Sequence, residues 1–377
     1  MKKKSIDYVV IVLFTVLLMY PYLFHSTLTI EHDTFFHVSR IFHYAESLQN
    51  GKFLPAIYPT ENGEYGYGSP LFYCDLFLLI PAIFHNLGVS LVHCYKATVL
   101  VASLLAGSAM YLLASRFTKK SSIRLFAVCA YMFSNYHITD IYVRGTLGEV
   151  FALIGIPLIL RGLYDILEQH KHWSYMYLLG LVVTVLSHIL SFLLCVVLII
   201  IFSLLYLTRS SFNTYKTLII ESMLACSLTT FYTFPMIEQL LSQKYYLSYY
   251  ASSLQLDTYA MTFWQYLANR TIFGISSNQL PIDHVMVVNV GWFLTFVPIY
   301  YLFIRRKDPH FFIDCLFVIG IVCFIFPSVL LPWKQLSVLR ILQFPWRFNM
   351  LALPLLCIPV IKVIEYISHR YRHVSLI

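Results

Sequence analysis

Residues 2–24 read KKKSIDYVVIVLFTVLLMYPYLF, three lysines followed by nineteen largely apolar residues from Ile6 to Phe24. The hydrocarbon core of a bilayer is roughly 30 Å thick and takes about 20 apolar residues as a helix, so this run is long enough to cross. Lysines ahead of an apolar run also open a signal peptide, but this run is long and no small-residue cleavage site follows it, so it reads as a retained anchor. Runs of the same kind recur along nearly all of the 377 residues, of which 59% are apolar and 12% charged. That charged share is about half of what a soluble domain carries. Lipid must therefore be the solvent for most of the chain. No internal repeat or low-complexity linker divides it, so residues 1–377 read as a single transmembrane domain.

The formal charge of +8 does not point to nucleic acid, because the basic residues stand in short clusters between apolar runs rather than on one solvated face. Nor do the eight cysteines, scattered through apolar stretches without a CxxC pair, describe a zinc site. Cytoplasmic loops carry the Lys/Arg excess, so the clusters set the topology. They are Lys2–Lys4, Arg116–Arg124, Arg161–Lys171, Arg209–Lys216, Arg305–Lys307 and His369–His373. Ten crossings place all six inside: 6–24, 93–115, 123–139, 146–164, 174–187, 189–208, 215–237, 286–304, 311–331 and 349–367. Both termini are then cytoplasmic, in a multi-pass protein of the cell membrane. Leu71–Leu87, interrupted by Pro81, is left as a re-entrant or interfacial helix. The rival reading makes it a true eleventh span, with the 174–208 run crossing once. The expected fold is thus an all-α polytopic bundle with a long external loop at 25–92 and another at 238–285.

Unusual polar residues collect on the expected external side. In Glu31-His32-Asp33-Thr34-Phe35-Phe36-His37-Val38-Ser39-Arg40, the apolar positions Phe35, Val38, Phe42, Ala45 and Leu48 recur at helical spacing. They describe an amphipathic helix over 34–50 lying in the membrane interface, with Asp33, His37 and Arg40 sharing its other face. Glu31 and Asp33 could hold a divalent cation or act as a general base. In the plainer alternative, Asp33 only caps the helix and Arg40 meets lipid headgroups. A second group, Asp140-Ile141-Tyr142-Val143-Arg144-Gly145-Thr146-Leu147-Gly148-Glu149, joins two apolar helices with charges that are costly unless solvated or paired. An Arg144–carboxylate pair that merely fixes the turn is the alternative there. His188 sits at the external end of two short helices, where a structural role is the ordinary one. Arg340 and Arg347 bracket Gln343-Phe344-Pro345-Trp346; arginine forks suit phosphate oxygens or lipid headgroups.

Together the anchor helix, Glu31-His32-Asp33, Arg144-Gly145 to Gly148-Glu149, and Gln343-Phe344-Pro345-Trp346-Arg347-Phe348 resemble the GT-C superfamily of membrane glycosyltransferases. Within it, the chain is similar to bacterial multi-span proteins labelled 6-pyruvoyl-tetrahydropterin synthase-related, although pterin chemistry belongs to a small soluble fold that this sequence cannot form. The resemblance implies a GT-C-like bundle that transfers a sugar from a polyprenyl-phosphate donor to a glycan, lipid or protein acceptor, in cell-envelope glycan or glycolipid assembly. It implies that Asp33, with Glu31 nearby, is the catalytic base or holds Mg or Mn. His37, Arg40, Asp140, Arg144, Glu149, His188, Arg340, Gln343 and Arg347 would contact substrate. Many relatives add a soluble C-terminal domain, whereas this chain ends eleven residues after Tyr366, so a partner membrane protein is expected to help bind the acceptor. The rival functions are a transporter or flippase of an envelope lipid, which needs polar residues through the midplane and ordinarily repeats, and a non-catalytic assembly subunit.

Overall fold

The computed structural model describes residues 2–245, 253–307 and 309–370, with side chains from Ser5 onward. Part of the expected 238–285 loop and the end of the His369–His373 cluster fall outside the described residues. Helices joined by turns make up the chain, with no β-strand among the described residues. In order, α1 spans Lys2–Leu18, α2 Tyr20–Phe24, α3 Thr34–Gln49, α4 Ser69–Phe72, α5 Leu79–Asn86, α6 Leu91–Ala114, α7 Ser121–Met132, α8 Asn135–Thr139 and α9 Leu147–Leu163. Then come α10 Tyr175–Ser187, α11 Ile189–Leu205, α12 Phe212–Ser242, α13 Phe263–Leu267, α14 Trp292–Phe296, α15 Tyr301–Ile304, α16 Phe311–Ile325 and α17 Phe348–Arg370.

Four stretches are long and apolar enough to cross a bilayer: Leu91–Ala114, Leu147–Glu168, Phe212–Ser242 and Pro345–Arg370. The shortest has 22 residues, about 33 Å of helix at 1.5 Å each. These mark the chain as a membrane protein, and shorter apolar helices such as α7, α10, α11 and α16 fill out the bundle. The Leu147–Glu168 stretch is 94% buried and Phe212–Ser242 only 33%, so α9 is the hub and α12 lies at the rim. Phe234 and Leu241 of α12 turn outward, as lipid-facing residues should. α9 packs on α6 and α10, and small residues let backbones touch there: a Cβ on Gly162 would fall 2.5 Å from the Tyr177 nitrogen.

Several expected helices are shorter or broken. The 123–139 segment stops at Met132 and restarts as α8, whose first turn is capped by the Ser134 hydroxyl at the His137 N–H. The 286–304 helix begins only at Trp292, because Asn289 donates to the carbonyls of Gln265 (2.7 Å) and Ala268 (2.8 Å) and holds its strand of chain extended. Past Trp292, Pro298 breaks the helix into α14, a 3-10 turn and α15. The 311–331 helix ends at Ile325, two residues ahead of Pro327, which cannot continue it. Over 71–87 the chain forms α4, a 3-10 turn at Leu76–Leu78 and α5 rather than one helix.

Basic side chains of the described clusters bond to Asp7, Asp165 and the end of α17. Arg116 and Lys171 both pair with Asp165 (2.6 and 3.1 Å), and Arg161 donates to Ser115 (3.0 Å). Arg124 lies 3.6 Å from Asp7 in α1, Lys120 donates to Ser368 and Lys307 to Tyr366 near the end of α17. Arg209 sets its guanidinium 3.9 Å over the Phe311 ring.

Candidate functional site

The polar segments gather elsewhere in the bundle, around a turn that follows α8. Asp140–Arg144 form one wide π turn, closed by Gly145 in the left-handed region at φ +61°. The chain leaving α2 lies across this turn: the His32 N–H donates to Val143 O (3.1 Å) and the Asp33 N–H to Arg144 O (2.8 Å). Only glycine fits at 145, because a Cβ would stand 2.7 Å from the Thr34 hydroxyl and 3.0 Å from the Glu31 Cβ, besides the strain of its φ. Tyr22 donates to Ile141 O (3.2 Å) and Tyr95 to Gly145 O (3.3 Å), pinning the turn at two points.

Beneath this crossing lies a buried ion network. Glu149, in the first turn of α9, accepts two bonds from Arg144 (both 2.8 Å), one from Arg347 (3.0 Å) and one from Tyr136 (2.7 Å). Arg144 also donates to Asp140 (2.5 Å) and stacks 4.4 Å from the Trp346 ring. Arg347 reaches Leu342 O (2.6 Å) and the Gln343 side chain (2.8 Å). Two arginines and two carboxylates thus balance. His188 lies against the start of α9, where a Cβ on Gly148 would be 3.4 Å from its ring, and its Nδ1 bonds the Ser191 hydroxyl at 2.7 Å.

Asp33 itself is different. It occupies the N-cap position of α3 without a capping side-chain bond, so the cap reading fails. Among the described residues its half-buried carboxylate makes no hydrogen bond or ion pair. Burial holds it above the usual carboxylate range, against the pull of Arg144. The neighbouring Glu31 is already engaged, accepting from Tyr22 (2.8 Å), Thr29 and Thr34. No group of three or more Asp, Glu, His or Cys side chains converges among the described residues.

α3 is present, and its polar face packs into the protein instead of facing out. His37 and Arg40 are buried in the protein, while Phe35 and Phe42 are exposed. Arg40 therefore meets no headgroup: it donates to Asp75 (2.8 and 2.5 Å), and Tyr58 donates to the other Asp75 oxygen (2.5 Å). His37 lies between Arg40 (3.1 Å) and the Leu147 N–H (3.3 Å), and burial, reinforced by Arg40, holds it well below the ordinary histidine range, hence neutral. Among the described residues the side chains bonded to Glu149 are Arg144, Arg347 and Tyr136, while Arg340 lines a cavity with Asp257, Trp333 and Lys334. Sequence reasoning missed Asp75, Tyr58 and Tyr136. A lone aspartate in the apolar 71–87 stretch was a signal for the first; the tyrosines carried none. No family model matches the chain, and neither does any curated protein.

Proposed function

We propose that the chain is a GT-C-type glycosyltransferase that moves a sugar from a polyprenyl-phosphate donor to an acceptor on the external face of the membrane. One observation carries this: the unpaired Asp33 carboxylate, fixed through its own backbone to the Arg144 turn. Positioned this way, Asp33 takes the proton of an acceptor hydroxyl while that oxygen attacks the anomeric carbon. The anomeric carbon–oxygen bond then breaks and the carrier leaves as polyprenyl phosphate. Arg144, Arg347, Asp140 and Glu149 act as positioning residues, since each arginine is already matched by a carboxylate. A rigid charged lattice keeps the general base within reach without reorganisation.

Ten crossings accompany this reading. Among the described residues, basic side chains of the 116–124, 161–171 and 305–307 clusters bond to Asp7, Asp165 and the end of α17, and the segments assigned to the outside, around His32, Val143, His188 and Arg347, touch one another in a separate group. The 71–87 segment runs beside α3, Asp75 meeting Arg40 and Asn86 donating to Ala45 O (2.9 Å), which favours a re-entrant piece over an eleventh span. The gathering of Asp33, Arg144, Glu149 and Arg347 in one place favours an enzyme over a transporter. The test is transfer of labelled sugar from a polyprenyl-phosphate donor by purified wild-type and Asp33→Asn protein. Wild-type transfer with a loss of at least a hundredfold in the variant is expected; equal transfer by both removes Asp33 from the mechanism.

A further inference from the structure

The Leu147–Glu168 stretch carries Glu149 near one end and, near the other, the buried Asp165, which gathers three cations from three parts of the chain. Arg116, just past α6, sets Nη2 2.6 Å from Asp165 Oδ1, and Lys171, ahead of α10, sets Nζ 3.1 Å from the same oxygen. Arg161, one turn back, places Nε 3.4 Å from Oδ2. Lys171 is brought there by its own backbone, whose N–H donates to Asp165 O (3.0 Å).

These charges do not cancel. Glu168, a turn further along, is already engaged by the Tyr206 hydroxyl, and even with it counted three cations face two carboxylates. Arg161 is spent inside the protein, on Leu112 O and the Ser115 hydroxyl. Arg116 and Lys171 are not. Both side chains are partly exposed, and among the described residues each bonds to Asp165 alone, through a single nitrogen. Nη1 of Arg116 and most of the Lys171 ammonium therefore remain to donate, from two like charges that already crowd one oxygen. A second anion between them would relieve that repulsion, and phosphate oxygens suit both donors. The depth of the cluster says which phosphate. α6 and the stretch containing α9 are each long enough to cross a bilayer, and Arg116 and Asp165 stand at the ends of both. Beyond Lys171, Trp173 and Tyr175 are exposed, their rings edge to face at 5.8 Å, and Leu179, one turn into α10, is exposed as well. Exposed indole and phenol rings settle at the level of lipid headgroups, and basic pockets between membrane helices hold anionic ones.

We propose that Arg116 and Lys171 bind the phosphate of an anionic phospholipid, with Asp165 and Arg161 holding the two cations in place and the acyl chains running beside Leu179. The site stands apart from the glycosyl-transfer reading, and its test involves no sugar. The full chain is placed in phosphatidylcholine vesicles containing either brominated phosphatidylglycerol or brominated phosphatidylcholine, and quenching of Trp173 is taken as the difference between each protein and its Trp173→Phe counterpart. Wild type should be quenched at lower amounts of the brominated phosphatidylglycerol than of the brominated phosphatidylcholine. Arg116→Gln and Lys171→Gln should each lose about fivefold of that preference, the effect of one basic residue at a membrane surface. Each variant leaves Asp165 with two cations and should melt with wild type; if Arg116→Gln does not fold, the exposed Lys171→Gln decides alone. Lys334→Gln, an exposed lysine elsewhere in the chain, should keep the full preference. Equal quenching of wild type by the two lipids, or a preference that both variants retain, overturns the proposal. Displacement of the brominated phosphatidylglycerol by millimolar inorganic phosphate would assign the cluster to a soluble anion and overturn it as well.

Discussion

Glutamine at position 149 would test the buried network most directly. The Glu149 side chain is 1% exposed and holds Arg144, Arg347 and Tyr136. Glutamine keeps the shape, removes the charge and turns one acceptor oxygen into an N–H donor that faces other donors. Breaking a buried ion pair from one side costs about 3–5 kcal/mol, mostly because the partner charge stays buried and unmatched. Glu149→Gln should therefore be among the most destabilising single changes in the molecule, although it alters no volume. Adding Arg347→Gln removes the surplus charge, and the double variant should recover about 1–3 kcal/mol against the sum of the singles. Thermal unfolding in nanodiscs, followed by intrinsic fluorescence, measures this, with the outward-facing Leu204→Ala as a neutral control. Glu149→Gln melting with wild type, or a double variant that loses the full sum, would refute the network.

Asp33→Asn should behave in the opposite way, abolishing transfer while melting at or above the wild-type temperature at pH 7. Burial raises this carboxyl, so its ionised form costs stability at neutral pH, a cost removed as pH falls through the raised value. For the same reason the rate of transfer should fall on the acid side through a midpoint above the ordinary aspartate value near 3.8, when the base takes up a proton. An acid limb centred at or below that value would contradict the buried setting of the base. Gly145→Ala should force Thr34 and Glu31 off the turn and cut both thermal stability and transfer; wild-type behaviour in both would show that the crossing is not tight.

Apolar periodicity made the helices legible, since a run of about 20 apolar residues has few other uses. Breaks at Pro298 and Pro327 were also readable in principle, because proline removes a donor wherever it stands. The packing of α3 was not. Period tells which residues share a face, but not that the polar one, with His37 and Arg40, is covered by other protein segments while Phe35 and Phe42 stay exposed. The non-helical chain at 286–290 was hidden by its own apolar composition; Thr139, Asn349 and the Asn289 side chain hold it through distant hydrogen bonds. Site residues were recognisable as costly charges, yet their partners were not. Arg347 and Glu149 are 198 positions apart, and Arg40 finds Asp75 across 35, so no local pattern announces either pair.

The close seam at Gly162 has a mechanical consequence. Because α9 and α10 meet backbone to backbone, they form a single strut, and Glu149 and His188 stand at the same end of it. Stretching or thinning the surrounding lipid then tilts the strut as a whole without sliding one helix along the other. The distance between carboxylate and imidazole becomes a property of the protein and not of the bilayer in which it sits.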